Sequence, residues 1–193
     1  MEHKGTVPLE TERLVLRRFL PEDAEAMFRN WANDPEVTRF LTWSAHAEVA
    51  VSRAVLQRWA DAYVNLKEYQ WAMVPKAEGE PIGSIAVVAQ SDAVRMVHLG
   101  YCIGQKWWRQ GYTSEAFCAL VRFFFEEVGV NRVEARLDLR NPNSGFVMRK
   151  AGLTLEGIGR QADYNNQGLC DVANYAILAE DYFSGSERKG NKP

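Results

Sequence analysis

The sequence predicts an α/β (α+β) fold: one domain built on a mixed sheet flanked by helices. Two observations carry that expectation. Strand-like and helix-like patterns follow one another in the order β-α-α-β-β-β-α-β-α-β-β, which requires a sheet with helices packed on it. The chain's 193 residues, 47% hydrophobic and 25% charged, suit a single core, since a chain of this size buries roughly 70% of its extended surface. No internal repeat or interdomain linker interrupts residues 9–183. Residues 1–8 read as a flexible arm, and 184–193, rich in turn formers and charges, as a flexible tail with nothing to bury.

Arg13-Leu-Val-Leu-Arg-Arg-Phe19 alternates as a first strand. Pro21-Glu22-Asp23 opens a helix with proline and acids in its first turn, where both suit the helix dipole, and Ala24, Met27, Phe28 and Trp31 share one face. A second helical pattern spans about His46 to Tyr63, its stripe made by Val51, Val55, Trp59 and Tyr63. Core packing accounts for these aromatics. Trp43, in the connection Leu41–Ala45, reads equally as a core residue or as a substrate-facing aromatic on a loop. Strands follow at Gln70–Val74, Ile82–Ala89 and Met96–Ile103, separated by turns at Glu78–Pro81 and Gln90–Val94. A strongly amphipathic helix then runs from Ser114 to Val128, with Phe117, Leu120, Val121, Phe124, Phe125 and Val128 on its stripe. The order closes with a strand at Arg132–Leu139, a helix at Pro142–Ala151, and strands near Leu153–Gln161 and Cys170–Leu178.

Charge narrows the function classes. With 23 basic and 25 acidic residues the net charge is −2, which argues against a surface made for nucleic acid while leaving room for a local basic site. Cys102, Cys118 and Cys170 are odd in number and far apart, unlike a disulfide framework or a zinc ribbon, and read as reduced, buried thiols of a cytoplasmic protein. The N-terminus lacks the apolar stretch of a signal peptide, and no run approaches the ~18 apolar residues of a membrane span.

Two segments carry chemistry. In Val97–Ala116 a strand ends near Ile103, a polar and basic loop follows and a helix begins near Ser114. Arg109, the close backbone approach allowed by Gly111 and the unsatisfied N–H groups of the helix start together suit an anion. An ordinary helix start with a glycine in its turn fits the same residues. The loop is neither a P-loop, lacking Gly-Lys-Ser/Thr, nor a dinucleotide fingerprint, its glycine spacing being wrong. In Leu139–Leu153, Asn141 is a good N-cap, Pro142 fits the first helical position and Gly152 the left-handed position past the end. His98 reads as structural, with no second catalytic group near it in sequence.

Five pieces in order resemble the GNAT superfamily of acyl-CoA-dependent N-acetyltransferases, in particular the branch named for RimJ and RimL, which acetylate protein N-termini. They are Leu9-Glu-Thr-Glu-Arg-Leu-Val-Leu-Arg17, Gly100-Tyr101 with Trp108-Arg-Gln-Gly-Tyr-Thr-Ser-Glu-Ala116, Arg132-Val-Glu-Ala135, Asn141-Pro-Asn-Ser144 and Gly152-Leu-Thr-Leu-Glu-Gly157. The resemblance implies a mostly antiparallel sheet splayed between the fourth and fifth strands, Met96–Ile103 and Arg132–Leu139. It implies acetyl-CoA as cosubstrate, with no metal. The pyrophosphate would sit on Arg109, Gln110, Gly111, Tyr112, Thr113 and Ser114. The pantetheine arm would follow the strand ending at Ile103 and meet Asn141 and Ser144, and a backbone N–H near Cys102 or Ile103 would hold the thioester oxygen.

For catalysis, the family's general pattern often places an acid tyrosine four residues before its Gly-Phe pair, where this chain has Met148. The RimL pattern uses the serine of Asn-x-x-Ser, here Ser144, and an acid in Gln-Ala-Glu-Tyr-x-Asn-Gly, here Asp163 of Gln161-Ala-Asp-Tyr-Asn-Asn-Gln-Gly168. Asp163 is the candidate base, acting through water, or else a surface hairpin acid. Arg109 replaces a common glycine, Thr113 a smaller residue and Leu153 a phenylalanine; aspartate for glutamate at 163 shortens the reach by one methylene. An α-amine is roughly 17% neutral at pH 7 against about 0.04% for a lysine amine, so a lysine costs about 3.7 kcal/mol more to deprotonate. This favours a peptide N-terminus attacking directly in a ternary complex, because Cys102 has no neighbouring histidine to make it a nucleophile.

The rival acceptor is a small-molecule amine: an antibiotic, polyamine or amino acid. A rival of another class is a non-catalytic acyl-CoA-binding regulator. Acceptor contacts are expected from 31–45 and 161–169. A homodimer stays open.

Overall fold

A computed structural model describes residues 1–190. In chain order the elements are β1 (Leu9–Glu10), β2 (Leu14–Arg17), a helical segment from a 3₁₀ turn at Pro21–Asp23 through α1 (Ala24–Met27) to a π turn at Phe28–Ala32, α2 (Pro35–Thr38), α3 (Val49–Ala62), β3 (Gln70–Pro75), β4 (Gly83–Ser91) and β5 (Met96–Ile103). After a 3₁₀ turn at Gln105–Trp107 come α4 (Tyr112–Phe123) with a π turn at Phe124–Val128, β6 (Arg132–Asp138), α5 (Pro142–Lys150), β7 (Thr154–Asn165), β8 (Gly168–Leu178) and α6 (Ala179–Gly190). The strands form one eight-stranded sheet in the order β1-β2-β3-β4-β5-β6-β8-β7.

Period-two alternation divides the core between the two faces of the sheet. On β3, Trp71 and Met73 join Leu14, Leu16, Ile85, Val97 and Leu99 against Phe117, Leu120, Val121 and Phe124 of the α4 segment. Ala72 and Val74 face the other way, onto Phe19, Met27, Trp31 and Leu56. The α4 stripe is buried as its spacing predicts. The α3 stripe is rotated from its expected place: Ser52 and Leu56 are buried while Val51 is exposed, because Ser52 can enter the core by pairing its hydroxyl with His46 Nδ1 at 2.7 Å.

Every sheet pair but one is antiparallel. The exception is β5 with β6, parallel and only three residues long: Met96↔Arg132, Val97↔Val133 and His98↔Glu134. Beyond His98 the two strands part, the splay expected between these strands. A β-bulge between Val87 and Ala89 on β4 lies opposite Leu99 and His98, at the level where β6 is left behind. Bulges bend a strand and increase its twist, which turns the end of β5 away from its neighbour.

The N-terminus departs from the expected loose arm. Thr6 is buried, its Oγ1 donating to Glu68 O (2.9 Å) and accepting from Gln70 N (2.9 Å), while Val7 O accepts from Trp71 Nε1 at 2.7 Å. Glu2 N donates to Val128 O at 2.8 Å. A polar segment is held because backbone and hydroxyl groups, invisible to hydropathy, satisfy partners at the sheet's edge. The expected tail from 184 overlaps α6, whose Tyr182 stacks on Phe125 at 4.9 Å between ring centroids; residues 191–193 lie outside the described residues. Of the three cysteines read as buried, only Cys170 is fully so; Cys102 and Cys118 are half-buried.

Candidate active site

The parting of β5 from β6 opens the sheet and exposes a strand edge. Gly104 N donates to Ile82 O at 3.0 Å, and the alternation of an antiparallel ladder then makes Cys102, opposite Ser84, the next hydrogen-bonded residue on β5. The amides of Tyr101 and Ile103 therefore face away from β4, toward the gap. Of the two positions expected to offer a backbone donor, Ile103 has its N–H on the open edge, whereas that of Cys102 belongs to the β4 ladder. Ile103 O is taken by Trp108 Nε1 at 2.8 Å. The Cys102 side chain points to the other face, its sulfur 3.4 Å from Ser84 Oγ, and burial pushes its thiol up.

At the gap lies a cleft of about 630 Å³, lined by Glu36, Val37, Arg39, Phe40 and Leu41, by the end of β5, and by the starts of α4 and α5. Its volume is that of a small-molecule site. Arg109, Gly111, Thr113 and Ser114 line it; Gln110 and Tyr112 do not. Those two turn to the opposite side, where Gln110 O accepts from Arg13 (3.0 Å) and the Tyr112 ring stacks under the Arg13 guanidinium at 4.5 Å. Arg109 and Gly111 both have left-handed backbones, φ +60° and +85°. That accounts for the family's glycine at the position of Arg109, and for this chain carrying some strain there. The first intrahelical bond of α4 is Glu115 N to Gly111 O, 3.0 Å, so the N–H groups from Gly111 to Ser114 have no acceptor within the helix. In a cleft also lined by Arg39, Arg109 and Arg140, they can hold phosphate oxygens, and the bare strand edge can pair with an amide-bearing arm.

The start of α5 closes the cleft. Asn141 stands at the N-cap position but makes no capping bond, which corrects its reading as a cap; it lines the cleft instead. Gly152 ends the helix at φ +91° as its spacing predicts. Ser144, in the first turn, lies with its Oγ 2.7 Å from Tyr101 Oη, and the same phenol donates to Ser144 O at 2.9 Å. Burial pushes the Tyr101 hydroxyl far above the ordinary tyrosine range, so it stays protonated. Met148, at the family's acid-tyrosine position, is buried in the core.

Behind Tyr101 and Ser144 lies a second chamber of about 140 Å³, sharing Phe40, Leu41, Tyr101, Asn141 and Ser144 with the first. Leu99, Leu137 and Val172 line it, together with Arg136, Asp138 and Asp163. Asp163 Oδ2 is 2.9 Å from Arg136 Nε, and its Oδ1 accepts from Tyr164 N at 2.9 Å. Asp138 is buried; Arg140, bonded to it, holds its carboxyl far below the usual range, and Asn165 Nδ2 donates to it at 2.8 Å. His98 sits in the sheet beside this wall, its Nδ1 3.2 Å from Glu134 Oε1.

The chamber is bounded by the loop after α2 and by the hairpin of β7 and β8, segments that fall within 31–45 and 161–169. One side chain joins them. Asn166 donates through Nδ2 to Thr38 O and Trp43 O, both at 2.8 Å, and through its backbone N to Leu41 O at 3.1 Å. Trp43 is half-buried, packs on the α1–α3 cluster and is not among the residues lining the two cavities. Sequence reasoning missed the Tyr101 hydroxyl, Asn166, and Phe40 with Leu41. Only Tyr101 left a signal: a tyrosine on the core side of a strand needs a partner for its polar tip.

Residues 13–154 match the family model described as an acetyltransferase (GNAT) domain. YoaA of Bacillus subtilis (strain 168), described as an uncharacterized N-acetyltransferase, is 32% identical over 170 residues, covering 88% of this chain and 96% of its own. The ribosomal protein uS5-alanine N-acetyltransferase of Escherichia coli (strain K12) is 28% identical over 171 residues, 82% of this chain and 85% of its own. In fold, the chain is similar to the microcin C7 self-immunity acetyltransferase MccE, solved with acetyl-CoA and AMP: TM-score 0.78 at 18% identity, over 87% of this chain and 93% of that one. The splayed sheet, the cleft at its parting and a family match over residues 13–154 agree, and the chain belongs to the GNAT acetyltransferases.

Proposed function

We propose that this acetyltransferase moves an acetyl group from acetyl-CoA to a primary amine, a protein or peptide N-terminal α-amine, by direct attack in a ternary complex. The observation that carries the proposal is the pairing of two cavities through Ser144, which lines both, with Asp163 in the second. In this reading Arg109 and the amides from Gly111 to Ser114 hold the diphosphate, and Asn141 with the open β5 edge holds the pantetheine amides. The Ile103 N–H meets the thioester oxygen as charge builds on it. Ser144 protonates the departing sulfur. Asp163, paired with Arg136, takes up the amine's proton through water. The raised thiol of Cys102, turned toward Ser84, supports direct transfer over an acetyl-cysteine route.

The relative named for ribosomal protein uS5 alanine supports an N-terminal acceptor. A small-molecule amine is the second reading, favoured by the chamber's volume of about 140 Å³ and its roof clasped by Asn166.

The test is free-thiol release from acetyl-CoA across N-terminal peptides, lysine peptides, polyamines and aminoglycosides. Turnover with N-terminal peptides, reduced ~100-fold or more in Ser144→Ala and in Asp163→Asn, is the expected result. Turnover with another class alone would sink the peptide assignment, and full activity of both variants would remove the proposed acid and base. Bound acetyl-CoA without turnover across a broad panel would favour a regulator.

A further inference from the structure

We propose that Tyr101 is a positioning residue for the second half of the reaction: its hydroxyl turns the Ser144 proton toward the leaving sulfur and holds the serine oxygen once that proton has gone. The proposal deepens the reading above and rests on Ser144 being the acid. A serine alkoxide is a far stronger base than a thiolate, so a serine hydroxyl gives up its proton to sulfur only where the charge left on Oγ is met.

Tyr101 Oη stands 2.7 Å from Ser144 Oγ and 2.9 Å from Ser144 O. A phenol has one proton, so two arrangements share this geometry. In the first, Tyr101 donates to the Ser144 carbonyl and accepts from the Ser144 hydroxyl, whose proton is then turned away from the cleft. In the second, Tyr101 donates to Ser144 Oγ, and the serine proton points outward to the cleft that both residues line. Rotation of both hydroxyls, about the Tyr101 Cζ–Oη and Ser144 Cβ–Oγ bonds, converts the first into the second. The rest of the tyrosine is fixed: it stands on β5, and its ring meets Phe117 edge-on at 5.6 Å and 90°. Burial holds the hydroxyl protonated at neutral pH. It is the one tyrosine lining the larger cleft among the described residues. It approaches α5 from the sheet, whereas Met148 occupies the family's acid position on that helix and is buried.

The step balances. The amine nitrogen forms a bond to the acetyl carbon, the C–S bond breaks with its electron pair left on sulfur, and the Ser144 proton moves to that sulfur. Ser144 Oγ keeps the pair from its O–H bond and accepts from Tyr101 until a proton returns from solvent. The nitrogen loses its extra proton to Asp163 through water, and Asp163 passes it to solvent. One proton leaves nitrogen and one reaches sulfur.

Tyr101→Phe, Ser144→Ala and the double variant test this, read as kcat, KM for acetyl-CoA, Kd of CoA and thermal midpoint. Tyr101→Phe should lower kcat ~10-fold while KM and Kd stay within about twofold. Ser144→Ala should lower kcat ~100-fold, and the double variant should match Ser144→Ala alone. An unchanged kcat in Tyr101→Phe overturns the proposal and leaves the Ser144 assignment standing. So does a double variant at ~1,000-fold, the product of the two, which would mean that the phenol acts apart from the serine. Full activity in Ser144→Ala overturns both. Should Tyr101→Phe fail to fold, 2,3,5-trifluorotyrosine at 101 keeps the hydroxyl and lowers the phenol's pKa by several units, into a range that kinetics can reach. A fall of kcat at alkaline pH that the unmodified enzyme does not show is then expected, and its absence overturns the proposal.

Discussion

The two sides of the cleft are built differently. The side that fits the acetyl donor is made of regular structure: the end of β5, the start of α4 and the start of α5. Its loop is wedged in place. A Cβ on Gly104 would lie 2.1 Å from Asn30 O and within 2.9 Å of the Trp107 ring, and one on Gly83 would lie 2.3 Å from Cys102 O. The side that fits the acceptor is a loop and a hairpin. The β7–β8 pairing shifts register twice, between Leu155 and Gly157 and again between Gly159 and Asp163, and Asn166 fastens the hairpin's tip to the loop. The wall proposed for the donor is therefore part of the fold, while the wall proposed for the acceptor is attached to it, so the two should respond to mutation independently.

Glycine substitutions should divide the two sides most sharply. Gly104→Ala forces a methyl group into the Asn30 carbonyl, a fixed backbone atom, and should cost at least ~3 kcal/mol, about 6–12 °C in thermal midpoint. Gly168→Ala, at the hairpin tip, meets nothing within 4 Å and carries only the strain of φ +85°, about 1 kcal/mol. Thermal melts of the two would decide the matter; equal losses would mean that the hairpin is as integral as the donor loop.

The same division governs what could be read from the sequence. The donor side was legible because hydrophobic period and helix punctuation specify it: β5 lies at Met96–Ile103 as expected, α4 buries its stripe, and Gly152 ends α5. The resemblance supplied the splay, which no periodicity shows. A parallel contact that stops after His98 depends on a bulge on another strand. The acceptor side was opaque because single polar contacts over long separations hold it. Asn166 reads as one turn former among several, yet it bonds residues more than a hundred positions away. Thr6, Val7 and the N-terminal arm were missed for the same reason.

Asn166→Ala tests the clasp and should act next most strongly. Two side-chain hydrogen bonds at 2.8 Å are lost, each worth roughly 0.5–1.5 kcal/mol. Part of that falls on the backbone bond to Leu41. The expected result is a rise of ~10-fold in KM for the acceptor amine with KM for acetyl-CoA unchanged, read from steady-state kinetics with each substrate varied. Equal changes in both constants would show that the hairpin also shapes the donor cleft.

The smallest effect should come from acid, through one histidine in the sheet and one beneath the acceptor loop. His98 marks the last β5–β6 pair, and His46 supports the acceptor loop through Ser52. Burial lowers both below the ordinary 6.5; for His98, the Glu134 carboxylate works against that shift and Arg136 with it. An unfolded chain takes up protons on these rings near 6.5, whereas the folded chain refuses them until the pH is lower. The unfolded state thus binds more protons in that window, and stability falls as pH drops below about 6.5. The slope is at most about 1.4 kcal/mol per pH unit for each proton refused. His98→Gln and His46→Gln should each flatten the loss between pH 7.5 and 5.5 in urea unfolding. The larger flattening should come from His98, whose side chain is only 11% exposed. If His46→Gln flattened it more, the loop under the acceptor wall would be the more tightly desolvated element, and the division between a rigid sheet and a loop attached to it would not hold.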